Sequence, residues 1–332
     1  MIVAEISANH GKDINIVKKS IDKAKEIGCD AVKIQTYRPD TITMKCSNEY
    51  FQINTGTIWD GTTLYDLYDD AYLPWEWHKE LFEYAKSIGI VLFSTPFDFT
   101  AVDLLEECGN PIYKIASFEI NDIPLIQYAA KTGKPMIIST GIATEEEISE
   151  AVQACRDVGN EQIVLLKCTS QYPAKIEDAN LMTMPDMGLR NNCGFGLSDH
   201  TLGDEVAVVA ASMGALVIEK HFILDRSIGG PDASFSMEPA EFEEMVRKIR
   251  TVETIHGKIT YELDEKKMNS RKYARSLFVV EDVKEGDVIS EENIKSIRPS
   301  DGMEPKYYFD VLGKKFNRDV AAGTPLTKEM ID

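Results

Sequence analysis

The chain has 332 residues, enough for one large and one small domain, and its 43% hydrophobic and 27% charged residues are ordinary for a globular protein. A formal net charge of −19 argues against nonspecific binding to nucleic acid or to anionic membranes, and any anionic substrate would need a locally basic site. No apolar run approaches the roughly 20 residues that span a bilayer, and no basic leader precedes an apolar stretch at the N-terminus. The six cysteines form no C-x-x-C pair, which predicts reduced thiols in a cytoplasmic protein.

Short runs rich in Val, Ile and Leu alternate with longer amphipathic stretches, which is the pattern of repeated βα units. We predict strands at residues 2–7, 31–37, 91–96, 113–117, 135–140, 163–169, 193–199 and 216–222. Eight strands are the number that closes a (β/α)8 barrel of about 250 residues. The sequence therefore predicts a TIM barrel over residues 1–262.

The segments between these strands carry helix and loop signals. Thr144, followed by Glu147 three residues later, predicts a capping box at the start of a helix. Residues 38–74, between the second and third predicted strands, are unusually long and aromatic for a connection. We expect them to form an elaborated loop over one mouth of the barrel, where substrate selectivity usually lies.

Polar side chains collect at the C-terminal ends of nearly all the predicted strands. They are Glu5, Lys33, Gln35, Ser94, Thr95, Lys114, Ser117, Ser139, Thr140, Thr169, Ser198, His200, Glu219 and His221. Strand ends are ordinary places for polar residues to begin, but that reading does not explain ionisable groups at alternating positions. Ser198 and His200, for example, are two residues apart and therefore point to one face of their strand. Because catalytic residues of such barrels come from this rim, the pattern predicts an active site there.

His200 and His221 end the seventh and eighth predicted strands. Neighbouring strands lie roughly 4.8 Å apart, so two imidazoles at equal height on adjacent strands could reach one divalent ion. Two histidine ligands would leave positions open for water, a carboxylate and a substrate oxygen. Each histidine could instead be a satisfied core residue or an acid/base residue, and spacing alone leaves these alternatives open.

The character of the sequence changes after residue 263. Residues 263–276 are charged and are predicted to form a linker or an edge helix. Beyond them, residues 283–294 and 320–331 align as V-x-x-G-x-x-[IL]-[ST]-x-E-x-I, a repeat in which the glycine makes a tight turn. We therefore predict a small β-rich domain with pseudo-twofold symmetry over residues 277–332. Arg298 lies between the two copies and is either an ordinary surface arginine or a functional residue.

These residues fall in motifs that resemble, over essentially the whole chain, the sialic acid synthase family of phosphoenolpyruvate-condensing enzymes. The motifs are specific together and weak singly; they are AEISANHGKD (4–13), AVKIQTYRPDTIT (31–43), FSTPFD (93–98), YKIASFEI (113–120), IISTGIAT (137–144), LLKCTSQYP (165–173), GLSDHT (196–201), EKHFILDRSIGGPDASFSMEP (219–239) and IRPSDG (297–302). The resemblance implies an N-terminal TIM barrel and a small C-terminal antifreeze-like (SAF) β-clip domain. It also implies a domain-swapped homodimer in which each small domain covers the partner's barrel mouth.

The resemblance implies a transferase that condenses phosphoenolpyruvate with an open-chain amino sugar to give a nine-carbon sialic-type acid and phosphate, using Mn²⁺ or Mg²⁺. His200 and His221 would hold the metal, which would polarise the sugar aldehyde. Glu5 is the candidate general acid or base, and metal-bound water is the competing base. The residues that would bind the carboxylate and phosphate of phosphoenolpyruvate, and so supply the locally basic site, are Lys33, Thr95, Lys114, Ser117, Ser139 and Ser198.

The resemblance also assigns residues to the sugar. Those that would handle the sugar or the metal-bound water are Glu5, Gln35, Tyr172 and Asp232. Ser170 is a further substrate-binding candidate, although it stands where N-acetylneuraminate synthases carry asparagine, and Arg298 would reach across the dimer to an acyl group. The segment 48–78 looks like the pseudaminic branch of the family, and its aromatic character suits a 6-deoxy, doubly acetamidated sugar. The implied substrate is 2,4-diacetamido-2,4,6-trideoxy-β-L-altropyranose.

Other functions fit parts of the same pattern. An N-acetylneuraminate, legionaminic acid or spore-coat polysaccharide synthase would keep the metal and phosphoenolpyruvate residues, so only the sugar segment separates these enzymes. A sugar-binding or structural protein built on a relic barrel is a different class. That class would have lost one of four residues that are all present, namely Glu5, Lys33, His200 and His221.

Overall fold

Eight parallel strands in sequence order close into a barrel, with the last strand hydrogen-bonded back to the first. The computed structural model describes residues 1–54, 56 and 58–332; Thr55 and Thr57, within the segment 48–78, lie outside the described residues. The barrel occupies the unit Met1–Gly257, and a second unit comprises Lys258–Asp332. The predicted (β/α)8 barrel is thus confirmed. No helix in the described part of the chain is long and apolar enough to cross a membrane.

All the predicted strands are present, with small differences at their ends. They are β1 (Ile2–Glu5), β2 (Ala31–Thr36), β3 (Val91–Pro96), β4 (Tyr113–Ile115), β5 (Met136–Ser139), β6 (Ile163–Cys168), β7 (Gly194–Asp199) and β8 (Ile218–His221). The first strand stops before Ser7 because Ser7 adopts a left-handed backbone conformation, with φ of 48°, that cannot continue a strand. The fourth stops before Ser117, where a 3-10 turn begins.

Helices surround the barrel, and all except the two short helices of the loop after β2 pack around its strands. They are α1 (Ile14–Glu26), α2 (Pro39–Ile42), α3 (Leu64–Ala71), α4 (His78–Ile88), α5 (Phe99–Cys108), α6 (Ile123–Ala130), α7 (Glu145–Asp157), α8 (Thr183–Asn191), α9 (Glu205–Ser212) and α10 (Pro239–His256). The capping box predicted for Thr144 and Glu147 is present at the start of α7. The long connection after β2 contains α2 and α3, so it is an elaborated loop with short helices of its own.

The smaller unit has its own apolar core, which includes Leu277, Ile294 and Phe316. It contains α11 (Glu265–Arg271), β9 (Ser276–Val279), β10 (Ile294–Ile297) and α12 (Tyr308–Val311), with β9 and β10 antiparallel. The first valines of the two repeat copies, Val283 and Val320, exchange backbone hydrogen bonds of 2.9 and 3.0 Å. This reciprocal pair is what pseudo-twofold symmetry predicts. The linker bounds 263–276 stay a prediction.

Candidate active site

Two layers of side chains fill the inside of the barrel. The lower layer is an apolar cluster of Val3, Ala31, Phe93, Ile137, Leu166 and Val217. Because side chains alternate along a strand, the residue two positions later on each strand also points inward, one layer nearer the C-terminal mouth. Those residues are Glu5, Lys33, Thr95, Ser139, Cys168 and Glu219, all buried. The polar layer therefore rests on a closed apolar floor and opens only towards the mouth.

Two buried lysines and one carboxylate organise this polar layer. Lys33 Nζ lies 3.1 Å from Glu5 Oε2 and 3.4 Å from Glu219 Oε1, and it donates a hydrogen bond of 3.1 Å to Thr95 Oγ1. Lys114 Nζ lies 4.0 Å from the same oxygen of Glu219 and donates to Ser139 Oγ at 2.6 Å. Ammonium groups beside hydroxyl donors form a site for an anion, and we call these two lysines with their hydroxyl neighbours the cradle.

The hydroxyl of Ser198 completes the group by donating to Glu219 Oε1 at 3.4 Å. The second carboxylate oxygen of Glu219, Oε2, is buried and has no hydrogen-bond partner among the described residues. A buried acceptor without a partner is costly, so this oxygen points to a site that is completed by a bound molecule or by water.

Burial and charge shift the pKa values of the two glutamates in opposite directions. Burial raises the pKa of Glu5 to about 7, although Lys33 acts to lower it. For Glu219 burial also acts to raise the pKa, but the nearby Lys114 and Lys33 ammonium groups outweigh it and hold the pKa below its ordinary value. Burial lowers the pKa of Lys114. Glu219 is thus the ionised partner of the lysines, and Glu5 can hold or release a proton near neutral pH.

Glu5 is held in place by neighbours on the adjacent strand and in the loop after β1. Gln35 Nε2 donates to Glu5 Oε1 at 2.9 Å and to Ser7 Oγ at the same distance. Glu5 is in register with Lys33 on one side and with His221 on the other. Its carboxyl group therefore lies between the cradle and the histidines.

His200 and His221 meet at the mouth side of the cradle, with ring centroids 5.3 Å apart. The Nδ1–H of His200 donates to Thr169 O at 3.0 Å, which leaves Nε2 free to bind a ligand. His221 Nδ1 lies 3.7 Å from Asp232 Oδ2 but has no hydrogen-bond partner among the described residues. Burial, followed by the neighbouring His200, holds the pKa of His221 well below its ordinary value, so its imidazole is neutral.

Nε2 of His200 and the unpartnered Nδ1 of His221 fit a metal ion that takes its remaining ligands from water and substrate. The described residues contain no group of three or more His, Cys, Asp or Glu side chains that could hold a metal ion. The histidine pair is therefore an open site, which a metal could occupy only with ligands from outside these side chains.

Aromatic rings line one side of the site next to the histidines. The ring of Tyr172 lies 4.3 Å from that of His200, 5.3 Å from Phe235 and 5.5 Å from Trp59, measured between centroids. Phe235 in turn lies 5.0 Å from His221. We call Trp59, Tyr172 and Phe235 the aromatic wall.

The remaining candidates from the sequence lie around these groups, with one exception. Ser117 Oγ accepts a hydrogen bond of 3.1 Å from the backbone N–H of Gly141, and Ser170 Oγ lies 3.8 Å from Cys168 Sγ. A Cβ atom on Gly141 would come within 2.1 Å of Ser170 Oγ, so this turn requires glycine. Arg298 belongs to the smaller unit and directly follows β10.

Two acidic residues at the site were given no role of their own from the sequence, although Glu219 was among the polar residues at the predicted strand ends. Glu219 lies two residues before His221 on the same face of its strand, a spacing that was visible in the sequence. Glu119 follows Ser117 by two residues; its Oε2 is buried without a partner among the described residues, and burial raises its pKa to about 7. The 3-10 turn at Ser117–Glu119 places it, and a strand pattern could not predict that.

Comparison with known proteins gives matches over both units. Residues 20–261 match the NeuB family, and residues 274–332 match the SAF domain. The chain is 46% identical over 332 residues to a pseudaminic acid synthase of Helicobacter pylori, covering 100% of this chain and 97% of the relative. It is 36% identical to an N,N'-diacetyllegionaminic acid synthase of Legionella pneumophila, covering 100% and 94%.

A solved structure is similar as well. The N-acetylneuraminic acid synthetase of Leptospira borgpetersenii, crystallised with citrate, superposes with a TM-score of 0.71 at 32% identity over 81% of this chain and 89% of that one. Together with the matching ranges, these likenesses confirm the resemblance found in the sequence. The chain belongs to the NeuB family of sialic acid synthases and carries a C-terminal SAF domain.

Proposed function

We propose that this protein is a pseudaminic acid synthase. It condenses phosphoenolpyruvate with 2,4-diacetamido-2,4,6-trideoxy-β-L-altropyranose and water, giving pseudaminic acid and phosphate. A C–C bond forms between the methylene carbon of phosphoenolpyruvate and the sugar aldehyde carbon, water oxygen adds to C2 of the phosphoenolpyruvate unit, and the C2–O bond to phosphate breaks. The observation that carries the proposal is the buried two-lysine cradle beside a histidine pair, in a chain 46% identical to such an enzyme over its full length.

The cradle binds the carboxylate and phosphoryl groups of phosphoenolpyruvate. The ammonium groups of Lys33 and Lys114 both approach Glu219 Oε1, so both can face one anion. The hydroxyls of Thr95, Ser117, Ser139 and Ser198 supply the remaining donors. Because the apolar floor excludes water from below, each of these interactions is stronger than it would be at the surface of this acidic protein.

His200 and His221 hold the divalent metal, because the hydrogen bond from His200 Nδ1 leaves its Nε2 available and His221 Nδ1 has no hydrogen-bond partner among the described residues. When bound there, the ion supplies Lewis-acid polarisation of the sugar carbonyl. Imidazole donors favour Mn²⁺ over Mg²⁺, because Mg²⁺ prefers an all-oxygen shell.

Glu5 acts as the general acid or base of the condensation. A carboxyl group with a pKa of about 7 is populated in both protonation states near neutral pH, which is what general acid–base catalysis needs. Gln35 fixes the orientation of the carboxyl group by its hydrogen bond to Oε1. On the sugar side, Tyr172, Ser170 and Asp232 border the histidines and contact the substrate.

The proposal extends to assembly and location. Arg298 of the smaller unit contacts an acyl group of the sugar across a domain-swapped homodimer. The six cysteines form no disulfide in the structure, which suits a reducing compartment, and we place the enzyme in the cytoplasm.

Phosphate release from phosphoenolpyruvate with Mn²⁺ tests the function, with three sugars in parallel. These are the altrose-configured diacetamido sugar, N-acetylmannosamine and the diacetamido-mannose precursor of legionaminic acid. We expect release with the first sugar only. Release with the third would favour the second candidate, a legionaminic acid synthase, which the 36% identical relative supports. Release with none of them would refute the proposed function.

A further inference from the structure

The loop that carries Trp59 is anchored at its base. Gln52 and Thr63 pair as an antiparallel bridge, Ile53 N–H donates to Thr62 O at 3.0 Å, and Gly61 N–H donates to Ile53 O at 3.0 Å. Ile53 is only 8% exposed, so its side chain fixes the base to the rest of the barrel unit. The loop therefore leaves and re-enters the fold at one defined place.

The tip of the same loop is anchored at the site. Trp59 Nε1 donates to Pro231 O at 3.2 Å, and Pro231 directly precedes Asp232. The indole ring also packs on Tyr172. Because hydrogen bonds hold both the base and the tip of the loop, the indole ring has a defined position, which is what a residue that determines specificity requires.

Trp59 is the outer end of the aromatic wall. The wall starts at the histidines, continues through Tyr172 and ends at Trp59, towards the mouth of the barrel. Under the proposed function the aldehyde carbon of the sugar lies at the histidines, and the other end of the sugar would then extend along this row of rings. The far end of a six-carbon sugar is C6.

We propose that Trp59 is a specificity-determining residue that selects sugars lacking a hydroxyl group at C6. This inference rests on the proposed function, because that function fixes the aldehyde end at the histidines. A methyl group at C6 packs on the indole face. A C6 hydroxyl against the same face would lose its water, and the indole N–H cannot replace that water because it is already bonded to Pro231 O.

Trp59 at the end of the aromatic wall does not distinguish the ring configurations of these sugars. Altrose- and mannose-configured diacetamido sugars both end in a C6 methyl group, so Trp59 treats them alike. Its selectivity is against 6-hydroxylated sugars. A hydrophobic site rejects an added hydroxyl group by about 100-fold in kcat/KM.

The test uses two sugars that differ only at C6, namely the 6-deoxy altrose-configured diacetamido sugar and its 6-hydroxy analogue. For the unmodified enzyme we expect kcat/KM to favour the 6-deoxy sugar by about 100-fold. In Trp59→Ala this ratio should fall below about tenfold, mainly through a higher KM for the 6-deoxy sugar, with the KM for phosphoenolpyruvate unchanged. Trp59→Phe keeps an aromatic face and should retain most of the preference.

Tyr50→Ala is the matched control, because Tyr50 is an aromatic residue of the same segment that is 80% exposed. We expect it to leave the ratio unchanged. The inference would be overturned if Trp59→Ala left the ratio of the two kcat/KM values unchanged. It would also be overturned if the KM for phosphoenolpyruvate rose as much as the KM for the 6-deoxy sugar. Either result would leave the proposed function standing. If the unmodified enzyme turned over neither sugar, the proposed function would fail, and this inference with it.

Discussion

A buried ion pair joins β7 to β8 on the side of the strands that faces away from the site. Lys220 Nζ lies 2.6 Å from Asp199 Oδ2, and each side chain is 2% exposed. Lys220 also donates to Thr201 O at 2.5 Å, while Asp199 Oδ1 accepts from the backbone N–H and the hydroxyl of Thr201 at 2.9 and 2.7 Å. Because His200 lies between Asp199 and Thr201 and His221 follows Lys220, this pair fixes the two strand ends that carry the histidines.

We expect Lys220→Met to lower the free energy of unfolding by about 3–5 kcal/mol. Methionine fills a similar volume but leaves the Asp199 carboxylate buried with only the Thr201 donors. The double variant Asp199→Asn with Lys220→Met removes that charge, and the side-chain oxygen of the introduced asparagine can still accept from Thr201. The double variant should therefore cost only about 1–2 kcal/mol, the scale of lost neutral hydrogen bonds.

Urea unfolding followed by tryptophan fluorescence measures these changes. All three tryptophans, Trp59, Trp75 and Trp77, lie in the barrel unit, so the signal reports on that unit. Arg190→Met is the control, because Arg190 lies 2.7 Å from Asp186 and 2.9 Å from Glu145, and all three side chains are at least 56% exposed. An exposed pair contributes about 1 kcal/mol or less. The reasoning is refuted if Lys220→Met costs no more than Arg190→Met, or if the double variant is no more stable than Lys220→Met.

Three further predictions concern pH, packing and the metal. The folded-state pKa of Glu119, about 7, exceeds its ordinary value of 4.5, so the free energy of unfolding falls progressively as pH rises from about 4.5 to 7. Between pH 5 and pH 8 this fall amounts to about 2–3 kcal/mol, and Glu119→Gln should remove it. Urea titrations of both proteins at pH 5 and pH 8 measure the difference. A Cβ on Gly196 would come within 2.2 Å of the backbone oxygen of Val217, whereas one on Gly194 would first meet a side chain at 2.9 Å, so Gly196→Ala should lower the melting temperature more than Gly194→Ala; equal shifts would contradict this. His221→Ala should abolish phosphate release and weaken Mn²⁺ binding measured by calorimetry while circular dichroism stays unchanged, and undiminished Mn²⁺ affinity would show the metal assignment to be wrong.

The barrel could be predicted from the sequence because each strand is a short apolar run bounded by turn signals. The inward polar layer was also visible, since residues such as Lys33 and Gln35 alternate with apolar ones and alternation fixes the face. Alternation does not say which residues meet across the barrel. The position of Glu219 beside two lysines depends on the order of the strands and the closure of the barrel. Its spacing to His221 therefore predicted the face of the strand on which it lies, but not that it would contact Lys33 and Lys114.

The aromatic wall could not be predicted by any local pattern. Its residues, Trp59, Tyr172 and Phe235, come from three different loops, and only the folded chain brings their rings together. The strand ends were missed where backbone conformation decides them. Ser7 adopts a left-handed conformation that serine seldom takes, and no turn residue in the sequence marks it.

The carboxylate of Glu219 beside the two lysines has a consequence for product inhibition. Inorganic phosphate, the leaving product, would bind to a purely cationic pocket about as firmly as the phosphoryl group of the substrate does. If the cradle binds phosphoenolpyruvate as proposed, the negative charge of Glu219, whose Oε1 lies 3.4 Å from Lys33 Nζ and 4.0 Å from Lys114 Nζ, would weaken the binding of every anion there and so ease the release of phosphate. Glu219→Gln should accordingly lower the inhibition constant of phosphate, and the enzyme would be limited by the escape of its own product.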